Sequence, residues 1–201
     1  MFPRLYAIID AAFFPDTVAL LVFSGELHAA GVTLFQYRNK SGNARQMLSH
    51  ARELRRRLAG ARLIMNDRAD LCLAANFDGV HVGQEDLSVD GARRVLGDKL
   101  WVGVSTHIPE QVRAAAATSG DYVAVGPVFP TSTKANPDAV IGLEGVRVAR
   151  SLIGKPLVAI GGITRQNCWP VLEAGADSVA VISDLLDAPR KSAEEFLRRL
   201  G

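Results

Sequence analysis

The run Gly126-Pro127-Val128-Phe129-Pro130-Thr131-Ser132-Thr133-Lys134 follows a strand-like segment, Asp121-Tyr122-Val123-Ala124-Val125, and opens a polar stretch lasting to Leu143. A loop this long inside a compact domain is a lid, a binding loop or a disordered segment. Its hydroxyls can hydrogen-bond a substrate, and Lys134 can then place a point charge on a phosphate. Asp67 and Asp86 add two carboxylates. Magnesium takes oxygen ligands and keeps several waters, so one or two carboxylates completed by phosphate oxygens form its usual protein site. Either aspartate alone is equally well read as a helix N-cap. Taken together, with Asn66 beside Asp67 and with Arg38, Lys40 and Lys134 as cations, they point to an enzyme that handles a magnesium diphosphate.

Arg38 and Lys40 lie two residues apart on an extended segment and are expected to face the same way. Arginine offers a fork for phosphate oxygens and lysine a point charge. Gly161-Gly162-Ile163-Thr164, with Ile182-Ser183 further on, suits a simple phosphate: backbone N–H groups at Gly162 and at the next helix start would cradle it. A Cβ at Gly162 would block that approach. The bland alternative is a tight turn with no ligand. Ser105 and His107 stand together, and His107 is either a general acid–base or a helix-capping histidine. His81 reads as an interior group, while His28 and His50 carry no signal.

These residues need elements to position them. Short, β-branched, nearly all-apolar runs read as strands buried on both faces, over Leu5–Ile9, Thr33–Tyr37, Arg62–Met65, Gly79–Val82, Trp101–Val104, Tyr122–Val125, Leu157–Ile160 and Ser178–Ile182. Helical spacing lies between them, at Asn43–Leu58, Pro109–Ala117 and Glu144–Leu152, and a last helix covers Ala193–Leu200. Eight β-then-α units predict an α/β protein, one (β/α)8 TIM barrel domain over residues 1–201. The rival, a doubly wound open sheet, usually has a glycine-rich turn after its first strand, where this chain has Ile8-Ile9-Asp10-Ala11. In a barrel, functional groups collect at the carboxyl ends of the strands. Gln36, Arg38, Lys40, Asn66, Asp67, Asp86, Ser105, Thr131, Thr133, Lys134, Gly162, Ile182 and Ser183 all fall at or just after those ends.

With 201 residues, 48% of them hydrophobic, the chain can build one sizeable core and shows no linker or low-complexity seam. A net charge of +2 does not suggest a nucleic-acid binder. The basic run Arg52-Glu53-Leu54-Arg55-Arg56-Arg57 is read as a solvated helix face. Cys72 and Cys168 lack metal or disulfide spacing and read as buried, inert thiols, which fits a reducing cytoplasm. The early apolar run 17–23 is too short to cross a bilayer, and acids precede it where a signal peptide carries positive charge. A soluble, unprocessed, cytoplasmic protein is expected, and a homo-oligomer is compatible with it.

The chain also resembles the family that joins the thiamine-phosphate synthases with the thiazole tautomerases. The resemblance lies in Gln36-Tyr37-Arg38-Asn39-Lys40, Asn66-Asp67, Asp78 to Asp86, Gly103 to His107, Gly126 to Lys134, Gly142 to Gly145 and Ile160 to Thr164, in family order and spacing. It implies a barrel that couples 4-amino-5-hydroxymethyl-2-methylpyrimidine diphosphate to a thiazole phosphate, releasing thiamine phosphate and diphosphate, with Mg2+ as cofactor. By the same resemblance Asp67 and Asp86 would bind magnesium, and Arg38, Lys40, Asn66 and Lys134 the diphosphate. Gln36, Ser105, Thr131 and Thr133 would contact the pyrimidine, its diphosphate or the acceptor phosphate. Gly162, Ile182 and Ser183 would help hold the thiazole phosphate, with Lys134 and Ser105 as the catalytic candidates. The implied mechanism is dissociative, with diphosphate leaving before the thiazole nitrogen attacks. Departures from the family pattern are Ile9 before Asp10, Asn39 between the two cations, and Asp184, whose charge falls near the expected phosphate cradle.

Two readings compete. A thiazole tautomerase would share the barrel, the Gly-Gly turn and His107, but would not need paired acids or the Thr-Ser-Thr-Lys loop. A non-catalytic thiamine-phosphate-binding barrel would have no use for a complete diphosphate site.

Overall fold

The computed structural model describes residues 2–131 and 138–201. Eight parallel strands close into a barrel in sequence order. They are β1 (Leu5–Asp10), β2 (Leu34–Arg38), β3 (Arg62–Asn66), β4 (Gly79–Val82), β5 (Trp101–Thr106), β6 (Tyr122–Val125), β7 (Leu157–Ile160) and β8 (Ser178–Val181). Closure is made by β1 against β8, with Leu5 opposite Val179 and Ala7 opposite Val181. The helices between and after them are α1 (Thr17–Ala29), α2 (Ala44–Arg57), α3 (Ala69–Ala74), α4 (Val89–Leu96), α5 (Pro109–Ala116), α6 (Gly142–Leu152), α7 (Cys168–Glu173) and α8 (Pro189–Leu200). The expected (β/α)8 barrel is therefore the observed fold.

Local chemistry starts most of the longer helices. Asp16 Oδ1 accepts from Ala19 N ahead of α1, Asn43 Oδ1 from Gln46 N ahead of α2, and Ser88 Oγ from Gly91 N ahead of α4. Pro109 opens α5, where its missing N–H leaves nothing unsatisfied. One buried cluster packs the outward faces of the strands against the helices; a second, built on Tyr6, Ile8, Leu34, Ile64, Tyr122, Ala124, Val158 and Ala180, fills the barrel.

A threefold device fixes strand register at the amino end. Asp78, Asp121 and Asp177 immediately precede or lead into β4, β6 and β8. Each accepts, through Oδ2 at 2.7 Å, the backbone N–H of a residue on the preceding strand: Leu63, Val102 and Leu157. Each also donates its own backbone N–H to the carbonyl of that same residue. An arginine from the intervening or preceding helix then neutralises each carboxylate: Arg55, Arg93 and Arg150, at 2.6, 2.6 and 2.8 Å. The basic run in α2 is the solvated face expected from the sequence at Arg52, Arg56 and Arg57, with Arg55 drawn out of it into the clamp. Arg55 is held by Asp78 and lies over the Phe77 ring, because the clamp needs a cation there.

Both cysteines are buried and unbridged. Burial pushes the Cys72 thiol up to about 12 and raises Cys168, so neither forms a reactive thiolate at neutral pH. Among the described residues no helix is long and apolar enough to cross a membrane.

Candidate active site at the carboxyl end of the barrel

A cavity of about 140 Å³ opens at the carboxyl ends of the strands. Gln36, Arg38, Asn66, Ser105, Thr131, Gly162, Ile182 and Ser183, eight of the sequence-derived candidates, line it together. They come from β2, β3, β5 and the segments after β6, β7 and β8. Ser105 sits within β5 rather than after it, because that strand runs two residues further than its apolar pattern. Thr133 and Lys134 lie outside the described residues.

Asp67 and Asp86 stand beside this cavity, outside its lining. Neither is a helix cap. Arg68 occupies the cap position of α3 without a side-chain bond, and Ser88 caps α4. Asp67 instead adopts a positive φ of 62°, and the Arg68 N–H closes back on the Asn66 carbonyl at 2.8 Å. That is a strained turn for a non-glycine residue, of the kind found at functional sites. It directs the Asp67 carboxylate to Lys40. Burial raises the Asp67 carboxyl above the usual carboxylate value; the Lys40 hydrogen bond opposes the rise, and contact with Asp86 adds to it. Asp86 is itself tethered, with Oδ2 accepting from Gly83 N at 2.8 Å. Two abutting acids balanced by one lysine fit a divalent cation. Among the described residues no group of three or more His, Cys, Asp or Glu side chains could hold a metal. A cation at this pair would need further oxygens from ligand and water, which is the habit of magnesium.

Arg38 and Lys40 do not lean the same way. β1 and β3 flank β2 on opposite sides. Arg38 pairs with Asp10 of β1 and lines the cavity, whereas Lys40 pairs with Asp67 beyond β3. The alternation that would align them ends with β2 at Arg38. Asn39 is buried between them, donating to the Tyr37 hydroxyl at 3.0 Å and accepting from Ser41 N at 2.8 Å, so its role is to shape the turn.

Beside the expected phosphate cradle, part of the backbone between Gly162 and the start of α7 is already engaged. The N–H groups of Thr164 and Arg165 are already used, by Asn167 Oδ1 and Asp184 Oδ2, each at 2.7 Å. What remains on that side is Gly162 with Ile182-Ser183. Gly162 has φ 64°, and a Cβ there would meet the Pro130 carbonyl oxygen at 2.5 Å and Phe129 Cβ at 2.8 Å. The glycine is therefore demanded first by the loop after β6 packing over it. The Asp184 charge, a concern from sequence, is neutralised by Arg165, whose Nε and Nη2 reach its two oxygens at 3.1 and 3.2 Å. Arg165 carried no motif signal, since its partner is 19 residues away on another unit.

His107 is not a helix cap either: Ile108 holds that position in α5. Its Nδ1 donates to the Gly126 carbonyl at 2.7 Å and lies 3.3 Å from Asp138 Oδ2, tying β5 to the loop after β6. Gln36, Tyr6, Tyr122, His81 and Ser105 form one continuous hydrogen-bonded chain, and all but Tyr122 line the cavity. Tyr6 and Tyr122 had no place among the sequence candidates, because an inward tyrosine on an apolar strand looks like core.

Residues 5–185 match the family model described as thiamine monophosphate synthase. The chain belongs to the thiamine monophosphate synthase family. It is 59% identical over 202 residues to a thiamine-phosphate synthase of Koribacter versatilis, covering 98% of this chain and 96% of that one. A thiamine-phosphate synthase of Chloroflexus aurantiacus is 44% identical over 187 residues, covering 92% and 86%. Among solved structures, thiamine phosphate pyrophosphorylase from Pyrococcus furiosus superposes with a TM-score of 0.86 at 33% identity, covering 98% of this chain and 95% of that one. The chain is accordingly a transferase enzyme of thiamine biosynthesis.

Proposed function

We infer that this thiamine-phosphate synthase couples 4-amino-5-hydroxymethyl-2-methylpyrimidine diphosphate to a thiazole phosphate by magnesium-assisted, dissociative alkyl transfer. The observation that carries this reading is the contact of Asp67 with Asp86, beside Lys40 and at the same mouth as the cavity. Magnesium held by Asp67 and Asp86 would offset negative charge growing on the departing diphosphate. Arg38 and Asn66 bind diphosphate oxygens from the cavity side, and Lys40 does so from beside the acids. Lys134 adds a further cation from the loop after β6 and, with Thr133, belongs to the sequence-derived part of the site.

Bond breaking leaves positive charge on the pyrimidine methylene, delocalised by the aminopyrimidine ring, and no protein nucleophile is needed. Gln36 and Ser105 orient that ring, while Thr131 helps enclose it and keeps water away. Gly162, Ile182 and Ser183 place the thiazole phosphate on the opposite side of the mouth, so that the ring nitrogen faces the methylene at close range.

The test is direct. The protein is incubated with both substrates, with and without magnesium, and diphosphate and thiamine phosphate are measured. Magnesium-dependent, equimolar release of both products is expected. Tautomerised thiazole carboxylate without coupling would instead establish a tautomerase, and tight binding of thiamine phosphate with no turnover would establish a binding protein.

A further inference from the structure

Lys40 reaches the mouth from residues 39–42, which belong to no strand or helix. Its side chain is 53% exposed, and an ion pair so placed fixes a long lysine weakly. The backbone beneath Lys40 therefore decides where its charge stands. That backbone is tied down by Asn39. Asn39 Oδ1 accepts from Ser41 N at 2.8 Å, and a backbone N–H can only donate. The other end of the amide is thus Nδ2, which donates to Tyr37 Oη at 3.0 Å.

The direction of each further bond follows. Tyr37 is buried, and burial pushes its phenol up to about 12, so the group keeps its one proton. Having accepted from Asn39, it donates that proton to His50 Nδ1, 2.9 Å away on α2. A neutral imidazole accepting at Nδ1 carries its proton on Nε2 and donates to Thr17 Oγ1, 3.0 Å away in the first turn of α1. The His50 ring also packs edge to face on Tyr37, with centroids 5.9 Å apart. A charged His50 would donate at both nitrogens and leave the Tyr37 proton without an acceptor; burial of His50 lowers its pKa and opposes that state. None of Thr17, Tyr37, Asn39 and His50 lines the active-site cavity.

We propose that Tyr37, His50 and Thr17 are positioning residues for Lys40: through Asn39 they anchor the turn after β2 to α2 and to the start of α1, and so hold the lysine charge where it meets Asp67 and the diphosphate. The inference rests on the assignment of Lys40 to the diphosphate above. Arg38, the neighbouring cation, does not depend on this anchor, because it ends β2 and is held by Asp10. Loss of the anchor weakens one cation and spares the other.

The experiment measures kcat and KM for each substrate in the unaltered enzyme, Tyr37→Phe, Lys40→Ala and the double variant. Lys40→Ala is expected to raise KM for the pyrimidine diphosphate by about tenfold or more, and Tyr37→Phe by about fivefold. Tyr37→Phe added to Lys40→Ala is expected to raise it by less than about twofold, with KM for the thiazole phosphate unchanged throughout. Equal losses for both substrates, or full additivity of the two changes, would make Tyr37 a residue of the fold alone and overturn the proposal. Lys40→Ala with unchanged KM would take Lys40 out of the diphosphate site and sink the proposal along with that assignment. A rise in Lys40→Ala but not in Tyr37→Phe would overturn the proposal alone. If Tyr37→Phe does not fold, Tyr37→Phe/His50→Leu, which removes the hydroxyl together with its imidazole partner, carries the same comparison. Ring 15N resonances of His50, identified by their loss in His50→Gln, are expected to show an unprotonated Nδ1 and a protonated Nε2. The opposite tautomer would turn the Asn39 amide over and release Ser41 N, which overturns the anchor. Calorimetric binding of inorganic diphosphate with magnesium reads the variants without turnover: weaker binding in Tyr37→Phe, with no coupling in the unaltered protein, would sink the synthase reading and keep this one.

Discussion

The Asp67 and Asp86 carboxylates are neighbours at the barrel mouth, the first directed there by a strained turn after β3, the second tethered by the Gly83 N–H after β4. Their contact is unfavourable when both are ionised, and among the described residues Lys40 is the cation paired with it. Magnesium with diphosphate should therefore stabilise the folded protein, by about 2.7 kcal/mol at a ligand concentration a hundred times its Kd. Thermal unfolding with and without the two ligands measures this. Asp67→Asn and Asp86→Asn should each remove most of the shift and most of the coupling activity; an undiminished shift in both would dissociate the pair from the metal.

Lys134 is assigned to the leaving group rather than to the acceptor. Lys134→Ala should lower kcat by ~100-fold or more, as loss of one charge-stabilising donor does, while KM for the thiazole phosphate changes little. Steady-state kinetics with each substrate varied separates the two, and unchanged turnover would exclude the clamp.

Arg165 neutralises Asp184 next to Ser183, on the thiazole-phosphate side of the mouth. Arg165→Ala should expose that carboxylate to the incoming phosphate and raise KM for the thiazole phosphate by about tenfold, since a nearby like charge disfavours an anion by kcal/mol amounts at low effective dielectric. Arg165→Ala/Asp184→Asn should restore much of the loss. If the double variant is as impaired as the single one, Arg165 acts on the fold and not on the charge.

The clamp at the opposite end should affect stability alone. Asp121→Ala removes the acceptor for Val102 N and the partner of Arg93, leaving two donors without it. A loss of about 1–3 kcal/mol in chemical denaturation is expected, with kcat preserved in the folded enzyme.

His50 gives a pH signature. Its ring sits between the Tyr37 hydroxyl and Thr17 Oγ1, and burial lowers its pKa below the ordinary 6.5. The unfolded chain then takes up a proton at a pH where the folded one resists it. Stability conferred by neutral His50 is complete above the unfolded value and is lost as pH falls from about 6.5 toward the lowered value. The melting temperature should drop over that window, and His50→Gln should flatten the drop.

Short, nearly all-apolar runs between segments of helical spacing made the barrel readable in the sequence, because strands buried on both faces leave unbroken apolar runs and helices buried on one face leave a 3.6-residue period. For the same reason the rim residues are legible in the sequence: chain order alone decides which side chains come directly after each strand. Gln36, Asn66, Ser105, Gly162 and Ser183 share a cavity on that basis. What order does not carry is lateral direction and partnership between distant units. Only the closed sheet sends Arg38 to Asp10 and Lys40 to Asp67, gives Asp184 its arginine, and consumes the Thr164 and Arg165 N–H groups. Only it joins Tyr6 to Tyr122 across 116 residues of chain. Hydrophobic periodicity is a local property of the polypeptide, whereas the polarity of a hydrogen-bond chain and the balance of a charge belong to the atoms that folding brings next to each other.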